Sequence, residues 1–189
     1  IGVTNFDAAH LHLALADGIP ILTNQVVCSL LDRRAMGPLT QICSKHGVHL
    51  LVYGTLLGGF LSDKWLGEQE PADIADWSKM KYKRFIDATG GWKVYQSILN
   101  AAKQIADKHG TSISNIASRW VLDHNHVAGI IIGVRPGEND HREDNGKLFN
   151  FSLDAYDHAQ LNSVLRHTLP IPGDCGDEYR RAPFLTASG

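Results

Sequence analysis

Four places along the chain group side chains able to hold a ligand, and each follows a short apolar run. Thr4-Asn5 offers a hydroxyl and an amide, and Asn24-Gln25 offers two more amides. Tyr53 is an aromatic followed by the glycine-rich run Gly54-Thr55-Leu56-Leu57-Gly58-Gly59. The last place, Gly133-Val134-Arg135, adds a cation. Apart from Arg135 these residues are uncharged, and none is an obvious nucleophile or general base. A hydroxyl, an Asn and a Gln can together pair with both ends of a carboxamide. An aromatic face can stack on a planar ring. A glycine-rich backbone lets N–H groups approach a pyrophosphate, and a guanidinium presents a donor fork suited to a phosphate monoester. The set suits a neutral amide-bearing ring joined to phosphates. Taken singly, each residue has a plainer role: Asn5 as a helix cap, Tyr53 as core, Gly58-Gly59 as a turn. Their joint placement favours the ligand.

The elements that must position them follow from hydrophobic periodicity. Segments 1–4, 21–25, 49–53 and 127–133 are β-branched and aliphatic without clean alternation, as expected of strands covered on both faces. Helical patterns are expected over 6–15 with Asp7 as cap, over 34–46 stopped by Gly47, and over 93–108 stopped by Gly110. Another is expected over 112–124, where Ile113, Ile116, Ala117, Trp120 and Val121 form a core-facing stripe. Segments 140–149 and 152–167 read as helices, the latter with Ser152 as N-cap and Asp154 in its first turn. The stretch 58–91 breaks the rhythm and reads as a functional loop or short helices. The tail from Pro170 is rich in Pro, Gly and charge and is expected to run over the surface. Strands alternating with helices imply parallel pairing and right-handed crossovers. The expected organisation is therefore a body over 1–168 and a tail over 169–189.

Composition narrows the partners. The net charge is −2 and no stripe of Lys and Arg stands out, which disfavours nucleic acid and anionic membranes. No apolar run approaches the roughly 20 residues of a membrane span. A hydrophobic share of 43% is enough for a packed core. Three cysteines without CxxC spacing fit burial in a reduced setting, and a cytoplasmic location is expected. His10-x-His12 and His124-x-His126 lack suitably spaced acids or cysteines, so no metal site is expected. The chain begins at Ile1 as though inside a strand, so a fragment of a longer polypeptide is the expectation. Four β/α units cannot close a barrel. Two sheet edges would stay open unless another chain, or the other half of a barrel, covers them.

The sequence resembles the aldo-keto reductase superfamily. The resemblance rests on IGVTNF, TNQV followed by SLLDRR, LLVYGTLLGGFLSDKWLG, and IIIGVR with HREDN shortly after, and it reaches to about Leu165. It implies an α/β fold, a parallel (β/α)8 TIM barrel, of which this chain supplies the last four β/α units, a C-terminal helix and the tail. By the same resemblance Thr4, Asn5 and Gln25 hold the carboxamide of a nicotinamide, and Tyr53 stacks on its ring. Gly54, Thr55, Leu56, Leu57 and Gly58 form the loop over the pyrophosphate. Arg135 falls where the family usually puts a Lys or Arg for the 2′-phosphate of NADP, Gly133 is a cofactor-binding residue at the same strand end, and Asp144 and Asn145 match adenine contacts. Pro136 and His141 depart from that pattern, standing where many members carry a hydroxyl residue and a second Arg. Arg135 still favours NADP(H) over NAD(H).

The family's Asp, Tyr, Lys and His tetrad belongs to the first four β/α units, and no residue here corresponds to it. Tyr82, Tyr95, Lys64 and Lys93 give no grouping that would replace it. The resemblance thus implies an NADPH-dependent reductase of aldehydes or ketones whose catalytic residues lie outside this chain. A small-molecule carbonyl is the implied substrate. The alternatives are a non-catalytic NAD(P)H-binding regulatory subunit and an inactive, self-associating fragment. Trp65, Trp77 and Trp92 would either wall the substrate pocket or pack the loop.

Overall fold

A computed structural model describes residues 1–134 and 141–180, the Ser78 side chain excepted. Four strands, β1 (Gly2–Thr4), β2 (Thr23–Val27), β3 (His49–Tyr53) and β4 (Val127–Ile131), form one parallel sheet in chain order. Helices carry the chain back between strands, as parallel pairing demands. α1 (Ala8–Ala16) joins β1 to β2, and α2 (Pro38–His46) joins β2 to β3. α3 (Trp77–Ala88), α4 (Gly91–His109) and α5 (Ile113–Leu122) lie between β3 and β4. α6 (Arg142–Gly146) and α7 (Ala155–Leu165) follow, and α8 (Asp177–Arg180) ends the described chain.

The helix signals act as their chemistry requires. The Asp7 carboxylate accepts from the His10 amide, and Ser112 accepts from Asn115, each filling an orphan donor of the first turn. Gly47 and Gly110 close α2 and α4 at positive φ. Several boundaries differ from expectation: β2 runs over Thr23–Val27 rather than 21–25, so Asn24 and Gln25 lie inside it, β4 stops at Ile131, and 140–149 divides into α6 and a 3-10 turn, Lys147–Phe149. Two further differences have a local cause. The segment 34–46 splits into a 3-10 turn, Arg34–Met36, and α2, because Pro38 opens the helix and disfavours helical geometry at Gly37. α7 is capped by Asp154 rather than Ser152, since Asp154 and Asp157 exchange side-chain to backbone hydrogen bonds in a capping box.

The core lies between the sheet and its helices. Val26, Leu50 and Val52 are fully buried there with Leu11, Ile98, Ile105, Ile116 and Val121. Trp120 joins them at 4% exposure, as the stripe on α5 predicts. Cys28, Cys43 and Cys175 are buried and unpaired. The strands alternate more than expected: Leu50 and Val52 are buried, while Leu51 and Tyr53 on the opposite face are half-buried. Coverage on both faces was the expectation; within the described residues the helices cover one. The described part of the tail, up to Arg180, also differs from expectation. Ile171, Cys175, Asp177 and Glu178 are buried, so this segment packs on the body instead of wandering over it.

Candidate functional site

The strand ends converge as a parallel sheet requires, since successive strands finish on the same side. Thr4 pairs in register with Gln25, and Val27 with Tyr53, which itself pairs with Ile131. The Asn5 amide N–H donates to Gln25 O over 2.8 Å, and Thr4 Oγ1 donates to the same carbonyl over 3.1 Å. Asn5 sits at a φ of 56°, which turns the chain sharply from β1 toward α1. The buried Asn24 amide is occupied by the Phe6 backbone, donating to Phe6 O over 2.8 Å and accepting from Phe6 N. Asn24 therefore builds the turn, and Gln25 remains the amide facing the other side of β2.

A groove of about 880 Å³ runs from the end of β3 past the end of β4 to α6. It brings together Tyr53, Gly54, Thr55, Leu56, Gly58 and Gly133 with His141, Asp144 and Asn145. Leu57 belongs to the same loop, but its side chain is wholly buried in the core, so only its backbone is available to a ligand. Thr4, Asn5 and Gln25 lie beside the groove rather than along it. Tyr53 joins them to it, its hydroxyl donating to Asn5 Oδ1 over 2.8 Å. Arg135 and Pro136 lie outside the described residues.

The loop that floors the groove is fixed by contacts behind it. Gly58 adopts a φ of 65°, and a Cβ there would stand 2.5 Å from the Tyr82 ring, so only glycine fits. Tyr95 donates to Phe60 O over 2.6 Å, and Trp65 packs on Phe60 with ring centroids 4.8 Å apart. Trp92 donates to Glu68 O over 2.9 Å. Trp65 and Trp92 therefore pack the loop against α4, whereas Trp77 on α3 is 58% exposed. One atom of the loop is left over: Thr55 is 1% exposed, lines the groove, and its Oγ1 has no hydrogen-bond partner among the described residues. A buried hydroxyl without a partner costs about 1–3 kcal/mol, so one in a concave site points to a ligand acceptor or donor.

Several lining residues were not singled out from sequence as ligand contacts: Ser62, Asp63, Lys64, Lys79, Ser112 and Ser114. Asp63 accepts from the Ile113 amide, and Ser114 donates to Leu61 O, so both tie the loop to the start of α5. Ser112 donates to Asp144 Oδ2 over 2.7 Å, and Asn115 to Asp144 O over 2.8 Å, which fastens α6 to α5. Lys64 and Lys79 bring positive charge to the groove, suited to phosphates. Their signal in the sequence is only two lysines in a long irregular stretch.

Burial, with the Tyr179 hydroxyl, pushes the Tyr53 phenol well above its ordinary range, and burial raises Tyr82 against the opposing Lys81 charge. Among the described residues no group of three His, Cys, Asp or Glu side chains is placed to hold a metal. No helix among them is long and apolar enough to cross a membrane.

Residues 1–166 match the Aldo/keto reductase family. The chain is 39% identical over 127 residues to flagellar radial spoke protein 5 of Chlamydomonas reinhardtii, covering 65% of this chain and 24% of that protein. It is 27% identical over 188 residues to aldo-keto reductase YhdN of Bacillus subtilis, covering 97% of this chain and 53% of that one. In structure it is similar to glycerol dehydrogenase AKR11B4 of Gluconobacter oxydans, with a TM-score of 0.70 and 23% identity. That match covers 92% of this chain and 50% of the other. An aldo/keto reductase from Klebsiella pneumoniae in complex with NADP and acetate matches 92% of this chain and 49% of its own, with a TM-score of 0.59 and 19% identity. These structural likenesses show the fold: four β/α units of a barrel. The chain spans between about a quarter and half the length of these proteins.

Proposed function

The chain belongs to the Aldo/keto reductase family, and from that premise we propose that its strand ends hold a nicotinamide cofactor, NADP(H) in preference to NAD(H). The observation that carries this reading is the unpartnered Thr55 hydroxyl, buried in the wall of the groove. It is the kind of atom a phosphate oxygen would satisfy. The rest of the donor set fits the same group. Glycines of 54–59 let the backbone approach a pyrophosphate, Lys64 and Lys79 offset its charge, and His141, Asp144 and Asn145 line the far end for an adenosine. At the near end Thr4, Asn5 and Gln25 would grip the carboxamide, with Tyr53 against the ring. The matched Klebsiella structure, a complex with NADP, supports this choice.

When bound, the cofactor supplies hydride transfer to an aldehyde or ketone. The residues of this chain bind and orient it. Tyr53 is tied to Asn5 and Tyr82 backs the Gly58 turn, which fits positioning roles and leaves proton transfer to residues beyond this chain. We assign those to a complementary half-barrel that would also pair with β1 and β4, the edge strands among the described residues. Exposed Ile1, Leu13 and Leu22 near β1, and Ile131 and Val134 at β4, are apolar surfaces such a partner would bury.

A second reading, a non-catalytic cofactor-binding subunit, is favoured by the similarity to a radial spoke protein. The two readings separate on turnover. Following NADPH oxidation with a small aldehyde, in the presence of the complementary half, gives activity if the reductase reading holds. Tight cofactor binding without turnover gives the subunit reading. Arg135→Ala should weaken NADPH binding much more than NADH binding; equal losses would remove the preference for NADP.

A further inference from the structure

The tail brings a side chain to the nicotinamide end of the site that the family resemblance does not assign. α8 is seated by a buried ion pair, Arg34 to Glu178 at 3.0 Å, and by Arg34 donating to Asp174 O over 2.8 Å. Arg180 reaches back to donate to Asn5 O over 2.7 Å. Gly176, at a φ of 84°, lies so close to Asn5 that a Cβ would stand 2.7 Å from Asn5 O. This seating delivers Tyr179, whose hydroxyl lies 3.3 Å from the Tyr53 hydroxyl and accepts from Lys81 Nζ over 2.9 Å.

Lys81 can only donate, Asn5 Oδ1 can only accept, and each hydroxyl between them has one proton. Lys81 thus donates to the Tyr179 oxygen, and the Tyr53 hydroxyl is held between two acceptors, Asn5 Oδ1 at 2.8 Å and the Tyr179 oxygen at 3.3 Å. Lys81 is a firm donor. Its ammonium lies 4.6 Å from the Tyr82 ring centroid and 5.1 Å from that of Tyr179. Burial works against its charge, but the neighbouring Tyr82, Tyr179 and Glu178 hold its pKa above the ordinary value.

We propose that Tyr179 and Lys81 are positioning residues for the nicotinamide end of the site, holding the Tyr53 hydroxyl on the Asn5 amide oxygen. Asn5 is thereby left to present its N–H2 edge as a donor to a carboxamide oxygen. The inference rests on the cofactor reading above and adds to it a contribution from the tail.

The test is equilibrium titration of Tyr179→Phe, Lys81→Met and Lys81→Arg with NADPH and with 2′,5′-ADP, which lacks the nicotinamide. Tyr179 is 43% exposed, so loss of its hydroxyl leaves the fold intact; thermal unfolding checks this. Tyr179→Phe and Lys81→Met should weaken NADPH about five-fold, the effect of one hydrogen bond. Lys81→Arg, which keeps a donor, should retain most of the affinity, and 2′,5′-ADP should bind all forms equally. NADPH affinity that is unchanged or tighter in the first two variants, or an equal loss for both ligands, overturns the proposal while leaving the cofactor reading standing. A wild type that binds neither ligand overturns both.

Discussion

The Tyr53 hydroxyl donates to Asn5 Oδ1 over 2.8 Å and so ties the end of β3 to the turn after β1, across β2. One side chain thus links the groove to the turn that carries Thr4 and Asn5. Tyr53→Phe keeps the ring and removes the tie, whereas Tyr53→Ala removes both. The first should weaken NADPH and NADH alike by about five-fold, the second by about ten-fold or more. Fluorescence titration separates them, and equal losses in the two variants would remove the stacking role.

Thr55→Val replaces an unpartnered buried hydroxyl by a methyl of similar shape. With no ligand bound, thermal stability should be unchanged or raised, because the cost of an unsatisfied group disappears. NADPH affinity should fall about five-fold. Calorimetry and titration on the same sample measure both, and a stability loss with unchanged affinity would mean that Thr55 serves the fold alone.

Gly58 combines a φ of 65° with a near-contact to the Tyr82 ring. Gly58→Ala should lower stability by about 1–3 kcal/mol through backbone strain and the displaced ring. Thermal denaturation would register this as a drop of roughly 3–10 °C. A wild-type melting temperature in the variant would show that the loop tolerates another conformation.

Acid should destabilise the α4–α7 junction. Lys108 and the Asp157 backbone amide hold Asp154 down to about 2. Burial acts to raise Asp157, but Lys108, His109 and the Asp154 amide outweigh it and keep it below its ordinary value. Both folded-state values lie under the unfolded ones, so their stabilisation is present above about pH 4 and is lost as pH falls toward 2. Asp157→Asn should flatten this acid limb of the melting temperature against pH. An unchanged limb would place the acid sensitivity elsewhere.

Much of the scaffold was legible because its signals are local. Asp7, Ser112, Gly47 and Gly110 mark helix ends through bonds to residues one turn away, and the stripe through Trp120 reports a face of one helix. The ends of β3 and β4 do meet in the groove, as parallel strands require, whereas Asn24 and Gln25 lie inside β2, three and two residues short of its end at Val27. What escaped depends on distant partners. Glu178 is buried because Arg34, far back in the chain, neutralises it, and a tail rich in Pro, Gly and charge gives no sign of that pairing. Lys64, Lys79 and Ser114 reach the groove only after the loop folds onto α4 and α5. Ser152 and Asp154 are both good caps, and the reciprocal bond from Asp157 decides between them.

The most direct test of the cofactor cradle is calorimetric titration of the folded chain with NADPH, repeated with 2′,5′-ADP present. Saturable binding of one NADPH per chain, weakened by 2′,5′-ADP, is the expected result. A folded chain that takes up no NADPH at millimolar concentration would contradict the account.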